Sequence, residues 1–379
     1  MRPMTRALHR YARPLIALLA ASLAIACLAQ STKPAVPTPP RLVVAWGPVL
    51  SDQRASSVAV GWATSLPSRS YVVCGGKKFL GGPVGIYHRA VVTGLKPSRT
   101  YRYAVEAFHA AQKARSAAFE FRTVPAKMPR WSFIVFGDTR TNDAPHRSVI
   151  NGILRALPRP YFIIHTGDLV EDGNVSGEWD SFFAIERALL GTIAYYPCMG
   201  NHEPDSKYYY DLFPVPSGGG PHREAWYAFR RDNALIVGLD SERDVAAQVA
   251  FLEGQAKRAE KDHVKWKFCF FHRPPYSSGT HGGAEDLQKA WVPILTKYHF
   301  TAVFNGHDHL YEHSFAGGVH YFTSGGGGAP LYAVGSKPNP YHVKAMSTYH
   351  FLQVLVRPTS VEVRAIRPNG VLIDDVVVK

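Results

Sequence analysis

The sequence predicts an α/β domain preceded by an all-β sandwich, and three observations predict it. From Trp131 onward, apolar runs alternate with stretches of helical period. Between Arg41 and about Val124 the runs are short, separated by turns and free of any helical period. From Trp131 onward, too, nearly every apolar run ends in a short motif that joins Gly to Asp, Asn or His.

Taken in order, residues 1–26 read as a secretory signal. Arg2, Arg6, Arg10 and Arg13 form a basic region, and the apolar stretch that follows is too short to span a bilayer. That stretch ends in Leu23-Ala24-Ile25-Ala26-Cys27, which resembles a bacterial lipobox with Ala24 where Leu is preferred. Lipidation of Cys27 would attach the chain to a membrane as a periplasmic or cell-surface lipoprotein. Ordinary cleavage would leave it secreted. Residues 27–40, with Pro34, Pro37, Pro39 and Pro40, read as a linker. Residues 41–125 form the sandwich, from LVVAWG, SVAVGWAT, SYVVCGG, YHRAVVTG, TYRYAVEAF and AAFEFRTV. Pro125 to Pro129 mark a boundary, and 130–379 form the α/β domain. Helices are expected at 144–157, 176–190, 245–262 and 283–298. The tail from Thr348 alternates apolar and polar residues, as antiparallel strands do.

The chain has 379 residues, 46% of them apolar, which suits two domains or one large one. The formal charge of +14 comes from scattered Lys and Arg with no nucleic-acid-binding signature, so no nucleic-acid partner is expected. A basic surface favours anionic substrates. Cys74, Cys198 and Cys269 show no CxxC spacing, which argues against a thiolate metal site. Oligomeric state is not legible.

The motifs carry the chemistry. They are Gly137-Asp138, Gly167-Asp168, Gly200-Asn201-His202-Glu203, Phe271-His272 and Gly306-His307-Asp308-His309. Strand ends aligned at one sheet edge can bring distant side chains together. Asp138, Asp168, Asn201, His272, His307 and His309 would then form an oxygen and nitrogen donor set for two metal ions. Two ions about 3.5–4 Å apart can activate a nucleophile and neutralise phosphoryl oxygens. Asp168 is the candidate bridge, Asp138 and His309 belong to the first ion, and Asn201, His272 and His307 to the second. Asp308 should turn away. Tyr208–Tyr210 and Trp226–Phe229 could form a substrate rim or simply pack.

This set of motifs resembles the calcineurin-like metallophosphoesterase superfamily. The GNHE and NGHDHLYEH stretches, behind a domain similar to fibronectin type III, resemble purple acid phosphatases. The resemblance implies a four-layer α/β/β/α sandwich and phosphate monoester hydrolysis by a metal-activated water. It implies two ions (Fe, Zn, Mn or similar), a small phosphorylated substrate, and the same ligand assignments. It also makes His202 a general acid or substrate-orienting residue, and His281 a substrate-binding one.

Two positions depart from the pattern. Glu171 stands where purple enzymes carry the Tyr that ligates iron and gives the colour, and Arg140 stands where many relatives carry His. The expectation is a colourless protein, with Glu171 a substitute oxygen ligand. Arg140 would bind the substrate phosphate, unless it pairs with Glu171 or Asp172. The alternatives are phosphodiester or nucleotide pyrophosphate hydrolysis at the same site, or an adhesion protein with an inactive hydrolase domain.

Overall fold

The computed structural model describes residues 40–378. The signal reading, Cys27 and nearly all of the linker lie outside the described residues. Within them, no helix is long and apolar enough to cross a membrane.

The N-terminal strands are β1 (Val44–Ser51), β2 (Ser57–Cys74), β3 (Lys77–Leu80), β4 (Gly85–Thr93), β5 (Thr100–His109), β6 (Gln112–Arg115) and β7 (Phe119–Arg122). SVAVGWAT and SYVVCGG, read from sequence as separate strands, are one strand of 18 residues. Its first half pairs antiparallel with β1 and β4, and its second half with β3 and β5. Pro67 lies at the changeover, where it has no N–H to give to a ladder. Between the two halves lie Val60, Trp62, Val72, Tyr103, Val105 and Phe121, the core of the sandwich.

The α/β region runs β8 (Trp131–Phe136), α1 (Asp143–Leu154), β9 (Phe162–His165), α2 (Ser176–Leu190), β10 (Ala194–Pro197), α3 (Lys207–Leu212), β11 (Tyr227–Arg231), β12 (Ala234–Gly238), α4 (Val249–Lys261) and β13 (Trp266–Phe270). It continues with α5 (Glu285–Ala290), α6 (Val292–Lys297), β14 (Ala302–Asn305), β15 (Tyr311–Ala316), β16 (Val319–Ser324), β17 (His342–Met346), β18 (Phe351–Val356), β19 (Val361–Ile366) and β20 (Leu372–Val378). One sheet has the order β10-β9-β8-β18-β19-β20, the other β11-β12-β13-β14-β16-β15-β17. They face each other: the Phe133 ring on β8 lies 5.4 Å from Phe268 on β13 and 5.9 Å from Phe304 on β14. Helices α1 and α2 bury Val149, Ile153, Trp179 and Phe182 in the core of the first sheet. Helices α4, α5 and α6 cover the second with Leu252, Leu287 and Leu295. The layering is the expected α/β/β/α.

Two helix expectations change. The single helix expected at 283–298 is two, broken at Trp291, because Pro293 cannot donate to a continuous helix and would crowd its preceding turn. The helix expected at 144–157 stops at Leu154, short of Pro158.

The sandwich is docked on α2. Trp46 stacks on Phe183 at 5.7 Å, and its indole N–H donates to Asp180 Oδ1 at 2.7 Å. Tyr103 donates its hydroxyl to the Gly191 carbonyl at 2.8 Å, and Arg89 grips both oxygens of Glu224 at 2.7 and 2.9 Å.

Candidate metal centre

Strands β8, β9 and β10 run parallel, as do β12, β13, β14 and β16. Their carboxyl ends therefore share one edge, and each delivers a motif there. Asp138 follows β8, Asp168 follows β9, Asn201 follows β10, His272 follows β13 and His307 follows β14.

The turns that aim these side chains are tight. Asp138, Asp168 and His307 all take left-handed backbone angles, with φ of 58°, 54° and 71°. Non-glycine residues adopt these at a cost and tend to do so at functional sites. Gly167 also has positive φ, at 94°. A Cβ at Gly200 would overlap the Asp168 carboxylate, so glycine there is a packing requirement.

Six donor groups converge. Single donor atoms of Asp138, Asp168 and His272 lie within 4.8 Å of one another. His272 Nε2 lies 3.3 Å from Asp168 Oδ1 and 3.1 Å from Asn201 Oδ1. His307 Nδ1 lies 3.0 Å from Asn201 Oδ1 and 3.2 Å from His272 Nε2. His309 Nε2 lies 3.5 Å from Asp138 Oδ1.

The surrounding hydrogen bonds turn lone pairs inward. His272 donates its Nδ1–H to the Thr166 carbonyl at 2.8 Å, and His309 donates its Nδ1–H to the Pro330 carbonyl at 2.7 Å. Each ring's Nε2 therefore faces the centre as an acceptor. Burial holds the His272 ring neutral, pushing it down to about 3, and pushes His309 down to about 4. Burial and the neighbouring Asp168 hold the Asp138 carboxyl well above the usual carboxylate range, and burial raises Asp168 too. Asp138 Oδ2 is buried and has no hydrogen-bond partner among the described residues. Two buried carboxylates, an orphaned oxygen and two inward lone pairs need a cation, and these residues, with Asn201 and His307 beside them, fit two metal ions of the kind oxygen and imidazole ligands accept.

The remaining sequence candidates are placed as follows. The backbone N–H of His202 donates to Asp168 Oδ1 at 3.2 Å, and its Nδ1–H to the Glu171 carbonyl at 2.6 Å. Its Nε2 is left 3.8 Å from Asp168 Oδ2. His281 is exposed at the rim, its ring 4.2 Å from that of His307. Asp308 is turned away as expected: its carboxylate accepts from the Ser277 hydroxyl and from the His281 N–H at 3.0 Å.

Arg140 is mostly buried and ion-paired, with Nη1 2.8 Å from Glu171 Oε2 and Nε 3.3 Å from Asp168 Oδ2. The structure does not bring Glu171 into the donor group. Its carboxylate is taken by Arg140 and by the Thr141 hydroxyl, an ionic bond that outcompetes a turn towards Asp138. The aromatic candidates for a rim pack instead: Tyr209 and Tyr227 donate their hydroxyls to the Pro197 carbonyl at 2.8 and 2.6 Å, and Phe229 stacks on Tyr196 at 4.0 Å.

Sequence reasoning missed two residues. Glu203, the last letter of the third motif, is fully buried and accepts from the backbone N–H groups of Asp168 (3.0 Å), Val170 (3.1 Å) and Gly200 (3.0 Å). It clamps the Asp168 and Gly200 turns to each other, and its place two residues after Asn201 in the same motif was the signal. Tyr332 stacks on His309 at 4.0 Å and lies 5.5 Å from His281. It sits in a loop after the glycine tract, where no pattern marked it.

Residues 132–311 match the calcineurin-like phosphoesterase family. A phosphoenolpyruvate phosphatase from Allium cepa is 25% identical over 336 residues, covering 77% of this chain and 66% of its own length. An Fe(3+)-Zn(2+) purple acid phosphatase from Arabidopsis thaliana is 28% identical over 162 residues, covering 38% of this chain and 33% of its own. The chain thus spans less than two thirds of the length of these relatives. Among solved structures, a purple acid phosphatase from yellow lupin (Lupinus luteus) seeds superposes with a TM-score of 0.75 at 18% identity, covering 87% of this chain and 73% of that one. The donor cluster lies, in the order and at the strand ends described, within the part of the chain that matches the calcineurin-like phosphoesterases, and the chain is similar to purple acid phosphatases.

Proposed function

We propose that this chain hydrolyses small phosphate monoesters with the help of two metal ions. The reading rests on one observation: six side chains of metal-ligand type from five separate strand ends come within hydrogen-bonding distance or a little more of one another. Asp138, Asp168 and His309 would hold one ion, and Asp168, Asn201, His272 and His307 the other. When bound, such a pair supplies an activated oxygen nucleophile and positive charge for the phosphoryl oxygens.

The chain's own residues do the rest. His202, fixed by the Glu171 carbonyl, presents Nε2 to the site and is placed to give a proton to the leaving oxygen. Arg140 is held by Glu171 and Asp168 at the edge of the donor cluster, where its guanidinium can take a phosphate oxygen. His281 stands at the mouth for the ester group. The leader and Cys27 make the enzyme an exported one, tethered by a lipid.

The test uses protein loaded with Zn, Mn or Fe and a generic aryl phosphate. Asp168→Ala should abolish turnover and lower metal content. His202→Ala should lower kcat by about 10²–10⁴ with metal content unchanged. Full activity in both variants would end the proposal. Comparing the aryl phosphate with its diester separates monoesterase from diesterase, and loss of lipid labelling in Cys27→Ser tests the tether.

A further inference from the structure

The molecule has a second concave site at the other end of the first sheet. Its cavity is about 710 Å³ and lies between the sandwich and the α/β region. Phe121 and Trp131 form part of an apolar wall, Tyr161 is half-buried beside them, and Arg122, Arg130, Arg159 and Arg357 lie in its lining. Trp131 and Ser132 open β8, whereas Asp138 follows that strand's far end. The cavity is therefore separate from the metal centre.

Its charge is lopsided. Glu120 is the only acidic residue in the lining. Arg357 is ion-paired with Glu362 at 2.6 Å. Arg122, Arg130 and Arg159 are exposed, and among the described residues their side chains have neither an ion pair nor a hydrogen bond. The three come from different segments: the end of β7, the connection into β8, and the loop before β9. Guanidinium groups gathered around a hollow repel one another until an anion enters, and the planar fork suits carboxylate, phosphate or sulfonate oxygens. The volume falls within the range of small-molecule sites, which favour domain boundaries. The lining offers no histidine or cysteine, so it is built for binding rather than bond-breaking.

We propose that this cavity is a binding site for an organic polyanion. Such a ligand has an apolar or aromatic body that lies against Trp131 and Tyr161, and at least two negative groups that meet Arg122, Arg130 and Arg159. Because residues from both regions contribute, the ligand ties the sandwich to the α/β domain.

Naphthalene-1,5-disulfonate is a suitable probe, since a phosphoesterase cannot consume it. Calorimetry on the metal-loaded protein should show saturable binding, with inorganic sulfate at least tenfold weaker. The double variant Arg130→Ser/Arg159→Ser should weaken the disulfonate at least tenfold while aryl phosphatase activity persists as a check of folding. A second double variant of equal charge change, Lys257→Ser/Lys261→Ser on the exposed face of α4, should leave binding unchanged. The single variant Arg159→Gln should show an intermediate loss. Absence of saturable binding to the unaltered chain, or equal weakening in both double variants, would overturn the proposal.

Discussion

Glu203 shows how much of the metal centre depends on a residue that touches no metal. One carboxylate accepts three backbone N–H groups, and two of them belong to Asp168 and Gly200, the residue before Asn201. Burial, with Asp168 nearby, pushes it up to about 8. Glu203→Ala leaves three buried amides without an acceptor, each worth about 1–3 kcal/mol. We expect a net loss of about 2–4 kcal/mol by urea denaturation, since water refills part of the gap, and at least tenfold weaker metal binding by titration. Glu203→Gln keeps one acceptor oxygen and should fall between. Arg140 makes a different contribution. Arg140→Ala should raise KM for an aryl phosphate about 10–100-fold with little change in metal content, whereas Arg140→Lys, which cannot form the fork, should recover only part of the loss. Of the two readings of Arg140 taken from sequence, the ion pair with Glu171 is present, and the KM comparison tests the other.

At the scale of elements, Trp46 is the joint between the two regions. Its ring stacks on Phe183 and meets Tyr208 edge-on at 5.5 Å, while its N–H is bonded to Asp180. Trp46→Ala should cost about 3–5 kcal/mol and expose the Pro125–Pro129 connection to proteolysis. Trp46→Phe keeps the stacking and loses the hydrogen bond, for about 1 kcal/mol. Both are read by denaturation with a parallel digest. The strands that carry the candidate ligands were legible because each is a largely apolar run ending in a glycine turn or close to a candidate ligand: WSFIVF, YFIIHT, WKFCF and FTAVFN. Strands β11 and β17 escaped notice because edge strands mix polar residues into their pattern, as YAFRR and HVKAM do. Nothing local in β2 says that one strand serves both sheets, since pairing partners lie far away in sequence. The ligands were legible for the same reason as their strands. Tyr332 was not, because its role comes from stacking on a residue that only the fold brings near.

Across the whole molecule, the buried histidines link stability to pH. His313 is stacked on Phe322 and hydrogen-bonded to His320, and burial, with His320 beside it, pushes it down to about 4. His350 is fully buried between the ring of Tyr311 and the Thr348 carbonyl, and burial pushes it down to about 4 as well. His88 and His165 are lowered by burial too. An unfolded histidine titrates near 6.5. Between about pH 6.5 and 4 the unfolded chain therefore binds protons that the folded chain refuses, and stability must fall as pH falls. Above 6.5 both states are neutral and the contribution is complete. Going from pH 7 to 5, His313 and His350 should each remove about 1–2 kcal/mol. The measurement is the urea midpoint against pH. The unaltered protein should lose stability steeply over this range, and His313→Phe/His350→Phe should show a slope shallower by about two protons, whatever its stability at pH 7. At acidic pH the protein would thus sit on the falling side of its own stability curve, where metal binding to the native state offsets the loss by mass action. Stripping the metals with a chelator should accordingly lower the urea midpoint at pH 5 and leave the protein less able to refold there than at pH 7.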